Sequence, residues 1–471
     1  PSASATTAAA PAPGRGRPLR RVLVANRGEI AVRVIRACQQ AGLETVVVTS
    51  TADRDALPAR LAGRAVCIGP PPAPQSYLAV NSVLSAALGT GCDAVHPGYG
   101  FLSENPAFAA ACVDAGLTFV GPSPDVVAQA GDKARARELA RRAGLPTLDG
   151  SPVLSDVQAA VAAADQLGYP VLIKAAAGGG GRGMSVIEDE ATLRARWPAA
   201  GAEAAAAFGD GRLYLERFIR VARHIEVQVL GDRHGSVVHL GERDCTLQRR
   251  HQKVVEESPA PDLPGQTRAA IRASGVAFAR ALNLDSAGTV EFIYDADTRD
   301  YAFLEFNARI QVEHPVTELV TGVDLVTQQL LVAAGEPLAL TQDDITLTGH
   351  AIEARITAED PARDFAPSPG TVTTWVPPDG PDIRVDTGCE PGYVVSPYYD
   401  SLLAKIIAHG PDRDTAADRL SAALSQLQVA GVPTSAGFVR AAVNHPDFRA
   451  ARVSTDWIAA RGLPDYLEAT P

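Results

Sequence analysis

Two glutamates and an asparagine are spaced so that a β-hairpin would bring their side chains together. The segment VEFIYDADTRDYAFLEFN is predicted to turn near Asp297 and Thr298, which puts Glu291 opposite Glu305 on neighbouring strands. Alternation with a period of two puts Glu305 and Asn307 on one face of the second strand. The same alternation adds Tyr301 and Phe303 to that face. Two carboxylates and an amide oxygen suit Mg²⁺, which binds such ligands together with substrate phosphates. The alternative is a pair of edge glutamates that point into water.

A run of glycines, AAAGGGGRGM at 175–184, raises the possibility of a phosphate site. Gly178, Gly180 and Gly183 match the GxGxxG spacing, but a strand (MSVIED) follows where a dinucleotide-binding loop requires a helix. The glycines are therefore predicted to join two antiparallel strands, where their N–H groups could cover phosphates. Lys174, at the end of the preceding strand, is a candidate phosphate ligand. The alternatives are a flexible hairpin tip and a solvated strand end.

Cationic side chains are concentrated in three further segments, although the chain is acidic overall. The segment ERDCTLQRRHQKVVEE places five basic or amide side chains within six residues: Gln248, Arg249, Arg250, His251 and Lys253. The segment NARIQVEHP offers Arg309, Gln311 and Glu313 at alternate positions, and HAIEARI puts Glu353 and Arg355 on one strand face. Such charge density predicts an anion site; the alternative in each case is a solvated charged face.

The elements that must position these residues alternate between strand and helix at the N-terminal end. The segment from 20 to 49 predicts strand, tight turn, helix and strand, which begins an open α/β layer of about 100 residues. Its first turn, ANRGEIA, lacks GxGxxG, so dinucleotide binding is not expected there. A helix over 132–145, strand pairs around 213–249 and 289–307, and a strand-rich C-terminal part that closes with a helix follow. Residues 1–19 are low in complexity and predict a disordered tail.

Composition excludes several classes of protein. The net charge is −11, which argues against general nucleic-acid binding. No segment is apolar enough to predict a membrane span. The six cysteines form neither a CxxC pair nor a zinc-ligand spacing, so free thiols in a cytoplasmic protein are expected.

Nine motifs together resemble the biotin carboxylase component of biotin-dependent carboxylases, an ATP-grasp family. They run through nearly the whole chain: VLVANRGEIAVRVIRA, AVHPGYGFLSEN, GDK, GGGGRGM, RHIEVQVL, ERDCTLQRRHQKVVEE, RIQVEHPVTE, GHAIEARI and YYDSLLAKI. The resemblance implies a mixed α/β fold with a Rossmann-like N-terminal domain (20–131), an ATP-grasp domain (132–330) with a glycine-rich lid (about 147–219), and a C-terminal biotin carboxylase domain (331–471).

The resemblance also implies a reaction, in which ATP and bicarbonate form carboxyphosphate and the carboxyl group passes to N1′ of biotin. It assigns ATP binding to Lys133, Lys174, Gly180, Gly181, Glu216, Arg217, Phe218, Ile219, His224, Gln248 and His251. It assigns Mg²⁺ or Mn²⁺ to Glu291, Glu305 and Asn307, and bicarbonate to Lys253, Arg309, Gln311 and Val312. Lys253 and Arg309 also count among the catalytic residues. Glu313 resembles the general base, and Arg355 the residue that binds biotin and stabilises its enolate.

The sequence departs from the family pattern at Ala308, Ala222 and Arg217, and Ala308 is expected to loosen the strand that aims its neighbours. Biotin is expected on a separate carrier protein or domain, because the only methionine, Met184, lies in the glycine segment rather than beside a biotinyl lysine. A carboxyltransferase and a second copy of the chain are the other expected partners, whereas nucleic acid and membrane are not. Two alternatives stay open: an ATP-grasp ligase with another acceptor, and a catalytically silent scaffold of a carboxylase complex.

Overall fold

The N-terminal part is a parallel sheet with helices on its faces. The structure is a computed structural model that describes residues 18–176 and 184–469. Five parallel strands lie in the order β3-β2-β1-β4-β5. Val46, Val47 and Val48 are all buried, as expected where helices cover both faces of a parallel sheet. The bounds are β1 Arg21–Val24, α1 Gly28–Gln40, β2 Glu44–Ser50, α2 Leu57–Leu61, β3 Arg64–Gly69, α3 Val80–Gly89, β4 Ala94–His96, α4 Pro106–Asp114, β5 Thr118–Phe119 and α5 Pro124–Gly131. The predicted alternation of strands and helices is confirmed.

A small antiparallel sheet carries the segments that flank the glycines. Its order is β7-β6-β8, so the two strands on either side of the glycine run are direct neighbours, as predicted. Helix α6 comes before this sheet in the chain and begins directly after Asp132. The Asp132 carboxylate accepts hydrogen bonds from the first turn of α6, which fixes where the helix begins. The bounds are α6 Lys133–Arg142, α7 Val157–Leu167, β6 Val171–Ala175, β7 Ser185–Ile187, α8 Glu190–Phe208 and β8 Leu213–Arg217.

An eight-stranded antiparallel sheet forms the floor of the molecule's main cleft. Its order is β13-β12-β9-β10-β11-β14-β21-β19. Its first five strands in that order come from the middle of the chain, and β14, β21 and β19 come from the C-terminal part. One hydrogen-bonded sheet thus crosses the predicted boundary at residue 330. The bounds from the middle part are β9 Ala222–Gly231, β10 Val237–Arg249, β11 Gln252–Ser258, α9 Gly265–Ala281, β12 Ala287–Asp295, β13 Tyr301–Asn307, α10 His314–Thr321 and α11 Leu325–Ala333.

The C-terminal part adds short strand pairs and packs helices on the far face of the large sheet. Ile352, Ala354 and Ile356 of β14 face this helical layer, while Arg355 lines the cleft, as the predicted alternation requires. The bounds are β14 His350–Thr357, β15 Glu359–Asp360, β16 Ala366–Pro367, β17 Gly370–Thr371, β18 Thr374–Val376, β19 Ile383–Thr387, β20 Val394–Val395, β21 Leu402–Gly410, α12 Arg413–Gln426, β22 Gln428–Ala430, α13 Ala436–Asn444, α14 Pro446–Arg449 and α15 Leu463–Ala469.

The β12–β13 hairpin differs from prediction in one respect. Glu291 pairs with Glu305 as predicted, but the register shifts at the next step, so that Phe292 pairs with Phe303 and Leu304 is the extra residue. This bulge breaks the alternation along β13. Phe303 stacks on the ring of Phe278 in the core under α9 rather than sharing the face of Glu305. The prediction that Tyr301 and Phe303 lie on the face of Glu305 and Asn307 was therefore wrong.

The cysteines and the apolarity of the helices can be compared with what the composition predicted. All six cysteines lie in the part of the chain that the structure describes, and all are unpaired thiols. Among the described helices, none has the length and apolarity needed to cross a bilayer.

Candidate active site

One large cleft gathers the predicted site residues. It has a volume of about 1550 Å³ and lies above the eight-stranded sheet, with β6 and β8 on its other side. Every residue in the described ranges to which the resemblance assigns a role lines it: Lys133, Lys174, Glu216, Arg217, Phe218, Ile219, His224, Gln248, His251, Lys253, Glu291, Glu305, Asn307, Arg309, Gln311, Val312, Glu313 and Arg355. Arg250, a candidate from charge density alone, is instead exposed and pairs with Asp364. Gly180 and Gly181 lie outside the described residues.

The two hairpin glutamates occupy different electrostatic environments. Glu291 is buried, and its Oε1 atom accepts hydrogen bonds from the amides of Asn307 and Gln311 at 2.9 and 2.8 Å. Burial alone would raise the pKa of Glu291, but the positive charge of Lys253, with His224, holds it well below its ordinary value. Glu305 is more exposed and lies 3.4 Å from Nζ of Lys133. Glu291 is therefore a carboxylate fixed in its ionised form.

The chemistry of these side chains fits a divalent cation. Glu291 and Glu305 face each other across the hairpin, and hard oxygen donors of this kind are the ligands that Mg²⁺ takes. Asn307 presents its amide nitrogen to Glu291, while its Oδ1 atom accepts from Arg309 at 2.9 Å. The two carboxylates are thus opposed in the hairpin register, and the amide oxygen would have to exchange its arginine partner to join them on a cation.

A lysine, a glutamate and an arginine form the centre of the cleft. Nζ of Lys253 donates to Glu226 at 2.6 Å, to Glu291 at 3.1 Å and to Glu313. Nη2 of Arg355 donates to the other oxygen of Glu313 at 2.9 Å. Glu313 therefore lies between two cations that come from different strands, β11 and β14. We call Lys253, Glu313 and Arg355 the clamp.

The ionisation of the clamp follows from its neighbours. Burial alone would raise the pKa of Glu313, but the charges of Lys253, Arg355 and Arg243 hold it well below its ordinary value. Burial would likewise lower the pKa of Lys253, yet Glu226 and its other acidic neighbours raise it well above the ordinary value. Both groups are consequently charged at neutral pH, so the Glu313 carboxylate is unprotonated.

The segment between β13 and α10 carries the remaining anion-site candidates. Nε of Arg309 donates to Glu104 of the N-terminal part at 2.9 Å. Gln311 is held from both ends, because its Oε1 atom accepts from Arg243 at 2.6 Å while its Nε2 atom donates to Glu291. The carbonyl of Val312 accepts from the buried Lys405 at 2.8 Å. Each part of this segment is therefore tied to a different layer of the molecule.

Lys174 and Glu216 mark the opposite wall of the cleft. Lys174 of β6 forms an ion pair with Glu216 of β8, and Nη1 of Arg137 donates to the same carboxylate at 2.7 Å. Arg217 and the two residues after it continue from β8 along the wall. Arg217 N donates to the carbonyl of Asp149 at 2.9 Å. This wall thus holds two cations around one carboxylate.

His224 and Gln248 belong to the large sheet, and His251 lies in the turn between its strands β10 and β11. Nε2 of His224 is 3.0 Å from Glu291. Burial would lower the pKa of His224, but the carboxylate of Glu291 raises it. Gln248 pairs with Lys253 in the β10–β11 hairpin, and His251 stands in its turn with a positive φ of 65°. This turn brings ring and amide groups to the rim of the cleft.

Ala222 and Ala308, which depart from the family pattern, are both buried. Ala308 packs in the core beneath the hairpin. Its neighbours Asn307 and Arg309 hydrogen-bond to one another and line the cleft. The effect of Ala308 on activity stays a prediction.

Sequence reasoning missed the buried ion network that supports the site. Arg243 is completely buried and donates to Glu226, Gln228 and Gln311, among others. Arg137 and Lys405 make the contacts described above. The signal for Glu226 was alternation along β9, where it stands between Ile225 and Val227 in RHIEVQVL. Arg243 gave no such signal, because its neighbours in ERDC are Glu242 and Asp244.

The chain matches three family models in succession. They are the biotin carboxylase N-terminal domain over residues 18–127, the ATP-binding domain of the carbamoyl-phosphate synthase L chain over 132–341, and the biotin carboxylase C-terminal domain over 353–460. Among curated relatives, the biotin carboxylase of Nostoc sp. is 48% identical over 93% of this chain and 98% of the relative. The chloroplastic biotin carboxylase of Arabidopsis thaliana is 49% identical over 93% of this chain and 82% of the relative.

Solved structures of biotin carboxylases are also similar to this chain. Biotin carboxylase of Campylobacter jejuni, in a β,γ-ATP complex, has a TM-score of 0.89 at 43% identity over 94% of this chain and 99% of that one. The biotin carboxylase domain of Hydrogenobacter thermophilus 2-oxoglutarate carboxylase, a dimer with MgADP, ADP and bicarbonate, has a TM-score of 0.89 at 45% identity over 96% and 99%. The chain belongs to the biotin carboxylase family of ATP-dependent enzymes.

Proposed function

We propose that this protein carboxylates biotin borne by a separate carrier protein or domain, using ATP and bicarbonate, as the first half-reaction of an acyl-CoA carboxylase. The observation that carries the proposal is the clamp, in which an ionised Glu313 lies between Lys253 and Arg355 beside a pair of opposed carboxylates. A site that joins two anions must offset their repulsion and must also accept a proton. The clamp supplies both cations and a base.

The first step forms carboxyphosphate. An oxygen of bicarbonate attacks the terminal phosphorus of ATP, ADP leaves, and Glu313 accepts the proton of bicarbonate. Lys253, Arg309, Gln311 and the backbone of Val312 would bind the bicarbonate. Because a bound anion competes with Glu313 for Lys253 and Arg355, its arrival weakens the interactions that keep the Glu313 pKa low. The base becomes stronger when its substrate is bound.

The nucleotide would lie along the opposite wall. Lys174 and Lys133 would contact the phosphates. The 217–219 segment and Glu216 would contact the adenine. The remaining polar edges of the nucleotide would be contacted by His224, Gln248 and His251. We also assign ATP binding to Gly180 and Gly181. Glu291, Glu305 and Asn307 would hold Mg²⁺ or Mn²⁺, which when bound neutralises phosphate charge. These charged side chains orient ATP toward the clamp.

The second step needs Arg355. In the proposed reaction, carboxyphosphate breaks down to carbon dioxide and phosphate, the phosphate accepts the N1′ proton of biotin, and the resulting enolate attacks carbon dioxide through N1′. Arg355 would bind the enolate oxygen with its guanidinium group. Its Nη2 atom already faces the cleft from β14 and donates to Glu313. An enolate oxygen would compete with the Glu313 carboxylate for the guanidinium of Arg355, so that binding of one anion displaces the other.

We extend the proposal to organisation and partners. The domain boundaries are 20–131, 132–330 and 331–471, and the lid is 147–219. The partners are a biotin carboxyl carrier protein or domain, a carboxyltransferase and a second copy of the chain. The support is similarity to a dimeric biotin carboxylase domain and to structures of pyruvate carboxylase. A cytoplasmic location stays a prediction.

The test is hydrolysis of ATP that depends on both bicarbonate and biotin. The purified chain, with free biotin and Mg²⁺, is expected to release phosphate faster than without biotin. Glu313→Gln is the matched inactive control. Absence of stimulation by biotin would overturn the proposal: binding of Mg·ATP by calorimetry would then point to a ligase with another acceptor, and absence of such binding to a scaffold.

A further inference from the structure

Two glutamates behind the clamp oppose each other across two strands. Glu256 of β11 pairs directly with Glu353 of β14, so their side chains share one face of the sheet. Both side chains are completely buried. Directly opposed residues of an antiparallel pair have Cβ atoms about 5 Å apart, which is within reach for two carboxyl groups. We call Glu256 and Glu353 the acid pair.

The acid pair has more oxygens than donors. Oε1 of Glu256 accepts from Nε of Arg355 at 2.5 Å. Within the described chain, Oε2 of Glu256 and both oxygens of Glu353 are buried without a hydrogen-bond partner. Two buried carboxylates that are both ionised would leave three bare acceptors and two adjacent negative charges, each of which is costly. A single proton between them would satisfy two of those oxygens and remove one charge.

The groups around Glu353 do not otherwise balance that charge. The cations that face it are Arg355 on its own strand and Lys405 on β21. Lys405 is already used by the carbonyl of Val312 and by Glu29 and Asp386. Arg355 is bound to Glu256 and Glu313. The titratable groups of the overlying α10 segment are Glu313, His314 and Glu318: Glu313 is ionised, burial holds the pKa of His314 well below its ordinary value, and Glu318 pairs with Arg33 and Arg384.

We propose that Glu256 and Glu353 share one proton at neutral pH and together position Arg355, so that loss of this proton weakens the hold of Arg355 on the anion in the clamp. The proton forms an O–H···O bond between the two carboxyl groups; on ionisation it passes to solvent and no other bond changes. The pair then carries two negative charges instead of one. Arg355 is drawn toward Glu256 and away from the cleft, because the pair now attracts its guanidinium more strongly.

The ionisation behaviour of each group agrees with this arrangement. Burial raises the pKa of Glu256 to about 7, although the charge of Arg355 opposes the shift. Burial raises the pKa of Glu353 well above its ordinary value, against the opposing charge of Lys405. Two carboxyls that interact this closely titrate as a unit, so the first proton belongs to the pair rather than to either residue.

The functional part of this inference rests on the proposed carboxylation of biotin. Glu256 and Glu353 are positioning residues, since both act through Arg355. The KM for biotin is expected to rise as the pair ionises, by about tenfold over the range in which it titrates, while ATP binding stays constant. Glu353→Gln keeps the size of the side chain and supplies an N–H donor to Glu256 without an ionisable proton. This variant is expected to flatten the alkaline rise in KM.

The direct experiment is infrared spectroscopy of the intact chain labelled with ¹³C at the glutamate carboxyl groups. A protonated carboxyl group gives a C=O stretching band that a carboxylate lacks. The band is expected at neutral pH, is lost on raising the pH, and is absent or weakened in Glu353→Gln. It should persist in Glu29→Gln, because Glu29 is another buried glutamate whose pKa burial raises to about 7. It should also persist in Glu257→Gln, whose carboxylate pairs with Arg413 on the other face of β11.

The outcomes separate the inference from the proposed function. The unmodified protein could hydrolyse ATP in a biotin-dependent way and yet show no labelled C=O band. That result would overturn the shared proton of the acid pair and leave the proposed function intact. A band that disappears in Glu29→Gln instead assigns the proton to Glu29, which likewise overturns the acid pair and leaves the function intact. An unchanged alkaline rise in KM in folded Glu353→Gln overturns the link to Arg355. If that variant does not fold, the labelled spectra of the unmodified protein and of Glu29→Gln still decide whether the proton is present.

Discussion

The two walls of the cleft balance their charges in opposite ways. At the small sheet, Lys174 of β6 and Arg137 of helix α6 surround the single carboxylate of Glu216. On the large sheet, Lys253 contacts three carboxylates, those of Glu226, Glu291 and Glu313. A wall with surplus cations suits a polyanion, whereas a wall with surplus carboxylates suits a metal ion and a transferable proton.

The walls also differ in how they are built. The large sheet has eight hydrogen-bonded strands, and the Lys253 side chain is 12% exposed. The small sheet has three strands, and the Lys174 side chain is 19% exposed. Chemistry that needs a base held within hydrogen-bond distance is placed on the broader and more deeply buried support. The comparison can be tested by removing one charge from each wall and one from the buried ion network of the large sheet.

The largest effect is expected from the base. Glu313→Gln removes the proton acceptor but keeps a side chain of the same size between Lys253 and Arg355. Biotin-dependent ATP hydrolysis should fall by about 10²- to 10⁴-fold in kcat, the usual contribution of a general base. Calorimetric ATP affinity should stay unchanged, because Glu313 is not among the residues assigned to the nucleotide or its metal. A fall in kcat of less than about threefold would remove Glu313 from this role.

The next effect concerns stability and tests whether the large sheet depends on its buried charges. Arg243→Met leaves Glu226 completely buried with one cation fewer, and Gln311 without its donor. Breaking a buried ion pair in this way typically costs about 3–5 kcal/mol of unfolding free energy. Denaturant unfolding measures the loss.

The matched control for that variant is Arg268→Met. Arg268 is partly exposed, and its partner Glu242 keeps a second arginine, Arg272. Its loss of stability should therefore be clearly smaller. Equal losses in the two variants would show that the buried network around Glu226 has no special role in holding the large sheet.

A smaller effect is expected on the nucleotide wall. Lys174→Gln removes one of two cations, and Glu216 keeps Arg137 at 2.7 Å, so the fold should be retained. The KM for ATP should rise by about 10- to 100-fold, which corresponds to the loss of one charge-assisted hydrogen bond to phosphate. Steady-state kinetics with bicarbonate saturating gives the value. A rise in the KM for bicarbonate alone would instead place Lys174 in the anion site.

Local patterns predicted the parts of the site that lie close together in the chain. The opposed pair Glu291 and Glu305 followed from one turn and one period of two, and the register confirms it. The strands on either side of the glycines followed from their flanking residues. In each case the information lies within about 20 residues, where backbone geometry alone decides which side chains face each other.

The sequence could not reveal contacts made through distant pairing. Strand β11 pairs with β14 about 100 residues away, and only this pairing places Glu256 against Glu353. The bulge at Leu304 also escaped prediction, since an inserted residue leaves the hydrophobic pattern unchanged on either side of it. Arg243 appears in the sequence as one polar residue among others, and only the fold shows that it is buried among acids.

The smallest effect is expected at Arg217, where the sequence departs from the lysine common in the family. Its side chain is 41% exposed, and its nearest carboxylate oxygen, on Asp295, is 3.7 Å away, a surface pair worth about 0–1 kcal/mol. Its backbone is held independently, because its N–H donates to Asp149 and its strand pairs with β6. Arg217→Lys should therefore leave the KM for ATP and the unfolding midpoint unchanged. A shift in KM of about fivefold or more would show that the guanidinium itself contacts the nucleotide, and would add a further cation to the wall that binds the polyanion.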